Sequence, residues 1–187
     1  MNILWDFDGT LINTYPAYTR LFTQVLEETT DPDEIYKHLK KSFSHAMQYY
    51  KLTEHQVEEL RFLESKIEQR DVKPFPGVEK VLKFASKNVI MTHKDREGVD
   101  SILKYYGMTH YFTDIVSIDD GFPRKPDASA YRYLHRKYTI DLVIGDRELD
   151  ILPAKELGIK TCLFQNKKAV ADFYIDNYTT FFEEVTL

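Results

Sequence analysis

Residues 2–10 read Asn-Ile-Leu-Trp-Asp-Phe-Asp-Gly-Thr, an apolar run that stops at an acidic turn. The stretch 2–6 is too short for a helix and carries bulky apolar side chains, so it reads as a buried strand. Four later runs share that character: 88–92 (NVIMT), 113–118 (TDIVSI), 140–145 (IDLVIG) and 160–164 (KTCLF). Helix-like stretches separate them. Strands that alternate with helices form βαβ units, so the expected class is α/β with a parallel sheet. In open sheets of this kind chemistry gathers at the carboxyl ends of the strands.

One interruption breaks the alternation. Residues 14–74 contain no convincing strand and read as helices over roughly 14–29, 32–50 and 54–70. Asp31-Pro32 supplies an N-cap followed by proline at the first helical position. Thr53 with Gln56 forms a capping box. Val57, Leu60, Leu63 and Ile67 then mark an apolar stripe of helical period, broken only by Glu64. The expected organisation is an α/β core of residues 1–13 and 75–187 with a helical insert of residues 14–74. Leu11–Thr14 forms one edge of the insert. Pro74 and Pro76 stiffen the other, and Gly77 can relieve it.

Composition narrows the classes further. Of the 187 residues, 43% are apolar and 29% charged, which excludes disorder as the main state. With 25 basic and 30 acidic residues the net charge is −5, a poor match to a nucleic-acid backbone. The single cysteine, Cys162, cannot close an intrachain disulfide, as suits a reducing compartment. No apolar run approaches the ~20 residues of a membrane span. A cytoplasmic protein without nucleic-acid or membrane partners is expected, as a monomer or small homo-oligomer.

Asp6 and Asp8 stand two residues apart just beyond the first strand, followed by Gly9 and Thr10. An ordinary acidic turn with glycine at positive φ would look similar, but D-x-D-G-T arises by chance in only about two of a thousand chains of this length. At the end of the fourth strand lies Gly145-Asp146-Arg147-Glu148-Leu149-Asp150. Asp146 and Asp150 are one helical turn apart and can face one point, with Pro153 placing the helix start near Asp150. Acidic N-capping would use the same residues, and Glu148 reads as solvated surface. Converging carboxylates repel: two unit charges ~4 Å apart cost about 4 kcal/mol at an effective dielectric of 20. A divalent cation resolves this, and an all-oxygen ligand set favours Mg²⁺. Thr92, beside the turn at His93, suits an anion pocket or a simple helix cap. No serine or cysteine nucleophile signature accompanies His93, so its side chain reads at most as substrate-facing. Lys125, before Pro126, suits a phosphate or is a plain surface lysine.

Taken together and in order, DFDGTL at 6–11, the apolar run into Thr92, the Lys125-Pro126 pair and GDRELD at 145–150 resemble the haloacid dehalogenase superfamily. The likeness is to its capped phosphatase branch, the phosphoglycolate phosphatase and β-phosphoglucomutase-like subgroup. It implies a Rossmann-like sheet of strand order 5-4-1-2-3 with the helical insert as a cap domain. It also implies Asp6 as nucleophile and Asp8 as general acid and base. Mg²⁺ would be held by Asp6, the Asp8 carbonyl, Asp146 and, through water, Asp150. Thr92 and the His93 N–H would bind the phosphoryl oxygens, and Lys125 would neutralise charge. The implied activity is hydrolysis of a small phosphorylated metabolite through an aspartyl-phosphate. A sugar phosphomutase keeps both aspartates and stands as the alternative, as does a non-catalytic binding or regulatory module. Asn13-Thr14 departs from the acid and serine that many relatives carry there.

Overall fold

A computed structural model describes residues 1–26 and 30–186. The chain divides into two compact units, Met1–Ile12 with Pro74–Leu187, and Asn13–Lys73.

The larger unit is built on a six-stranded sheet: β1 (Asn2–Trp5), β4 (Lys87–Met91), β5 (Phe112–Val116), β6 (Leu142–Gly145), β7 (Lys160–Phe164) and β8 (Phe173–Ile175). The two-residue strands β2 (Ile12–Asn13) and β3 (Lys73–Pro74) lie where the chain passes between the units. The order across the large sheet is β5-β4-β1-β6-β7-β8, with every pair parallel. The expected five-strand order is therefore corrected to a six-stranded one. β8 adds an edge strand outside β7, and at three residues it is too short to show a pattern in sequence. It is anchored from the side: the Asp172 carboxylate accepts the Thr161 N–H and hydroxyl, both at 2.9 Å.

Central strands β1 and β6 are buried on both faces from Ile3 and Leu142 onward, which is why their runs are continuously apolar. One face carries Leu4, Val89 and Val143 against Ala130, Tyr131 and Leu134 of α7 (Ser129–Tyr138). The other crossover helices are α5 (Val78–Phe84), α6 (Arg96–Tyr105) and α8 (Glu148–Glu156), and the short α9 (Phe181–Glu184) closes the chain. Gly77 caps α5 at φ +84°, where a Cβ would come within 3.2–3.3 Å of the Tyr178–Thr179 backbone. It is thus a packed structural position as well as a turn residue. Helix α8 starts at Glu148, earlier than expected, because the Arg147 N–H finds its acceptor in Asp150 at the third helical position.

The smaller unit has four helices among its described residues: α1 (Tyr15–Val25), α2 (Pro32–Leu39), α3 (Phe43–Tyr49) and α4 (Glu54–Glu64). The last expected residues of the first helix, 27–29, lie outside the described residues. The helix expected over 32–50 is two. Ser42 turns extended at φ −172° and its hydroxyl accepts the His45 N–H at 2.9 Å, starting a new helix. Both expected N-caps form: Asp31 accepts from Asp33, and Thr53 and Gln56 bond reciprocally. Helix α4 ends at Glu64 rather than 70, and Gln69–Asp71 forms a 3₁₀ turn. Tyr18, Phe22, Ile35, Leu39 and Leu60 make this unit's own core. No helix among the described residues is long and apolar enough to cross a membrane.

A single polar residue braces the sheet beneath the first motif. Buried Asn88 accepts the Trp5 indole N–H at 2.8 Å and donates to the carbonyls of Leu82 at 2.9 Å and Tyr111 at 3.3 Å. Asn88→Leu strands these groups in an apolar core, and each unmet buried partner costs about 1–3 kcal/mol. Urea unfolding should show a loss of about 2–4 kcal/mol. An unchanged midpoint would show that the indole and both carbonyls find other partners.

Candidate active site

The register of β1 against its neighbours sets the site. Trp5 pairs with Ile90 of β4 and with Ile144 of β6, and the Asp6 N–H donates to the Ile144 carbonyl at 2.9 Å. Asp6, Thr92 and Asp146 therefore leave the sheet at the same edge, the carboxyl one. After Asp6 the chain winds tightly, with the Phe7 carbonyl accepting the N–H groups of Leu11 and Ile12, both at 3.0 Å. This turn needs Gly9 at φ +80°. From far along the chain, the Tyr178 hydroxyl donates to the Thr10 carbonyl at 2.9 Å, while its ring stacks on Phe164 with centroids 4.5 Å apart.

Carboxylate oxygens of Asp6, Asp146 and Asp150 lie within 4.8 Å of one another, and all three residues are buried. Lys125, also buried, holds two of them, with its Nζ 2.6 Å from Asp6 Oδ1 and 2.8 Å from Asp150 Oδ1. Thr10 donates its hydroxyl to Asp6 Oδ2 at 3.2 Å. Asp150 is further gripped by Arg147, whose N–H and Nε donate to Oδ2 at 3.0 and 3.2 Å and whose Nη2 donates to Oδ1 at 3.1 Å. Room for this comes from Gly145, where a Cβ would stand 2.3 Å from the Asp150 Cβ. Any side chain at 145 would push Asp150 off the lysine. Outer contacts complete the frame: Asn166 donates to the Asp146 carbonyl and the Tyr131 hydroxyl to the Asp150 carbonyl, each at 2.8 Å.

The acids do not share one environment. Burial favours the neutral form of Asp150, but Arg147 and Lys125 outweigh it and hold this carboxyl far below the usual carboxylate range. At Asp6 burial and the Asp150 charge win over Lys125 and Arg147, and its acidity is weakened well above that range. Lys125 loses stability as a cation through burial and regains more from Asp150 and Asp6, so it stays charged. Three carboxylates thus meet two cations, and the shortage of positive charge falls on Asp6. An all-oxygen donor set with a deficit of positive charge fits a hard divalent cation.

Other residues singled out in the sequence take separate places. Asp8 is half-buried on the motif turn and is not among the three clustered carboxylates. Thr92 is buried, and its hydroxyl accepts the Lys94 N–H at 3.1 Å, which leaves its own proton to donate elsewhere. The His93 ring is the acceptor for the Lys125 N–H, with Nε2 at 3.0 Å, so it positions the lysine loop. Arg147 carried no assigned role in sequence, yet it touches the whole acidic cluster.

The chain belongs to the haloacid dehalogenase-like hydrolases, whose family model matches residues 3–164. It is 30% identical over 179 residues to a pyrophosphatase PpaX of Halalkalibacterium halodurans, covering 86% of this chain and 81% of that one. A phosphoglycolate phosphatase of Vibrio cholerae is 35% identical over 74 residues, covering 37% of this chain and 32% of that one. The crystal structure of a hydrolase from Streptococcus pneumoniae superposes with a TM-score of 0.65 at 31% identity, covering 86% of this chain and 90% of that one.

Burial, with the charges of Lys125 and Arg124, lowers the His93 ring from 6.5 to about 3. The ring is then neutral above about 3, as an acceptor for the Lys125 N–H must be. In NMR titrations its ring protons should show no shift between pH 8 and pH 5, where an unperturbed histidine titrates. A midpoint near 6.5 for this ring would break the link between His93 and the Lys125 loop.

Proposed function

We propose that this protein is a Mg²⁺-dependent phosphatase acting on a small phosphate monoester through an aspartyl-phosphate on Asp6. The observation that carries the reading is the contact of the Asp6 carboxylate with the buried Lys125 ammonium at 2.6 Å, inside an acidic triad short of positive charge. The two relatives named above as a pyrophosphatase and a phosphoglycolate phosphatase support phosphoryl transfer to water as the reaction class.

Asp6 attacks phosphorus with one carboxylate oxygen while Lys125 holds the other, and the bond from phosphorus to the leaving oxygen breaks. Asp8, outside the triad and half-buried, gives its proton to that oxygen. Water then attacks the same phosphorus, Asp8 takes its proton, and the bond to Asp6 breaks. Lys125 stays charged throughout and keeps Asp6 oriented. The Thr92 hydroxyl, aligned by the Lys94 N–H, and the His93 N–H bind the phosphoryl oxygens. Asp6, the Asp8 carbonyl and Asp146 would hold Mg²⁺, with Asp150 acting through water; the ion would supply the charge missing at Asp6 and neutralise the phosphoryl group. The helical unit Asn13–Lys73 serves as the cap of this family's plan and carries substrate choice. A cytoplasmic setting suits a phosphorylated metabolite as substrate.

Two experiments test this. Hydrolysis of an aryl phosphate should require Mg²⁺, cease on chelation, and fall at least about a thousandfold in Asp6→Asn with the circular dichroism preserved. Retained turnover in that variant removes Asp6 as nucleophile. Asp8→Ala should slow an alkyl phosphate at least about tenfold more than an aryl phosphate, because only the poor leaving group needs the acid. Equal losses on both would move the acid role elsewhere.

A further inference from the structure

Arg147 sits beside the acidic cluster, anchored by hydrogen bonds on Asp150. Its N–H, Nε and Nη2 all bond to Asp150, at 3.0, 3.2 and 3.1 Å. From that anchor the same guanidinium reaches Asp6 Oδ1 and Asp146 Oδ1 at 3.7 Å each. Those two contacts are too long for hydrogen bonds but within ion-pair reach. The side chain is only 16% exposed, so water screens them weakly. Lys125 differs, because it is fully enclosed and hydrogen-bonded to both of its acids.

We propose that Arg147 is a built-in counter-cation that competes with the divalent metal for Asp6 and Asp146 and so weakens the resting protein's hold on Mg²⁺. The inference rests on reading the triad as the metal site. Anchorage on Asp150 keeps the guanidinium in place, and its charge faces the two carboxylates at 3.7 Å. A divalent cation entering there meets a fixed positive charge a few ångströms away and must work against it. Arg147 therefore sets metal affinity by charge, as a positioning residue of the site.

The test is calorimetric titration of Mg²⁺ into the full chain and three variants. Arg147→Met and Arg147→Gln remove the charge; Arg147→Lys keeps it. Asp150 remains paired with Lys125 in all of them, and Gln restores an amide donor toward Asp150 should the Met variant fold poorly. Both neutral variants should bind Mg²⁺ about tenfold more tightly than the natural protein, with Lys close to it. If Arg147 served only to order Asp150, the result would follow hydrogen bonding: Gln near the natural protein and Met weaker. That outcome, or equal affinity across the set, overturns the inference and leaves the metal site standing. Absence of Mg²⁺ binding in every form overturns the metal reading itself, and the inference with it.

Discussion

The Lys125 ammonium, enclosed by the protein, makes its two short contacts to Asp6 at 2.6 Å and Asp150 at 2.8 Å. Neither side of this arrangement is tolerable alone. A buried ammonium without its acids, or buried carboxylates without their cation, would each carry an uncompensated charge worth several kcal/mol. The contact therefore ties together the end of β1, the loop before α7 and the first turn of α8, which are 119 and 25 residues apart along the chain. It also makes the two acids unequal. Asp150, with four donor contacts, is locked as an anion, whereas Asp6 holds the same lysine with less help and is left short of positive charge. An anchored acid and a responsive one are what a nucleophilic carboxylate and its support require.

The rest of the larger unit serves that contact. Parallel register brings Asp6 and Asp146 out at one sheet edge. Gly145 makes space for Asp150, His93 receives the N–H of Lys125, and Tyr178 ties the motif turn to the last part of the chain. Below the site, Asn88 fixes the Trp5 ring one residue before Asp6. In the proposed mechanism these partners would hold the reacting groups still, so little reorganisation would be left for the reaction itself.

Much of this was legible in the sequence because its signals are local. A short apolar run ending in D-x-D-G-T marks β1 and its turn, and the spacing of Asp146 and Asp150 marks two acids that meet at one point. Asp31 and Thr53 announce their helices through their own neighbours. What escaped depends on distant partners or on charge of the other sign. Arg147 lies inside a quoted motif, but a search for converging acids passes over a cation. The ring of His93 has meaning only once Lys125 comes beside it, 32 residues on. Tyr178 reaches back 168 residues. Strand β8 is too short for a period, and the break at Ser42 turns on one hydroxyl in a stretch that is otherwise helix-compatible. Helix α8 begins before Asp150 because Arg147 supplies the reciprocal cap, which the proline at 153 does not reveal.

The central claim is that Asp6 is the group that accepts phosphorus. The direct measurement is rapid acid quench during turnover of an isotopically labelled phosphate monoester with Mg²⁺, followed by peptide mapping. An acid-stable, hydroxylamine-labile phosphoryl group is expected on the peptide that contains Asp6, at the side chain of Asp6. Turnover with the label on Asp8, on His93 or on no protein residue at any quench time would contradict it.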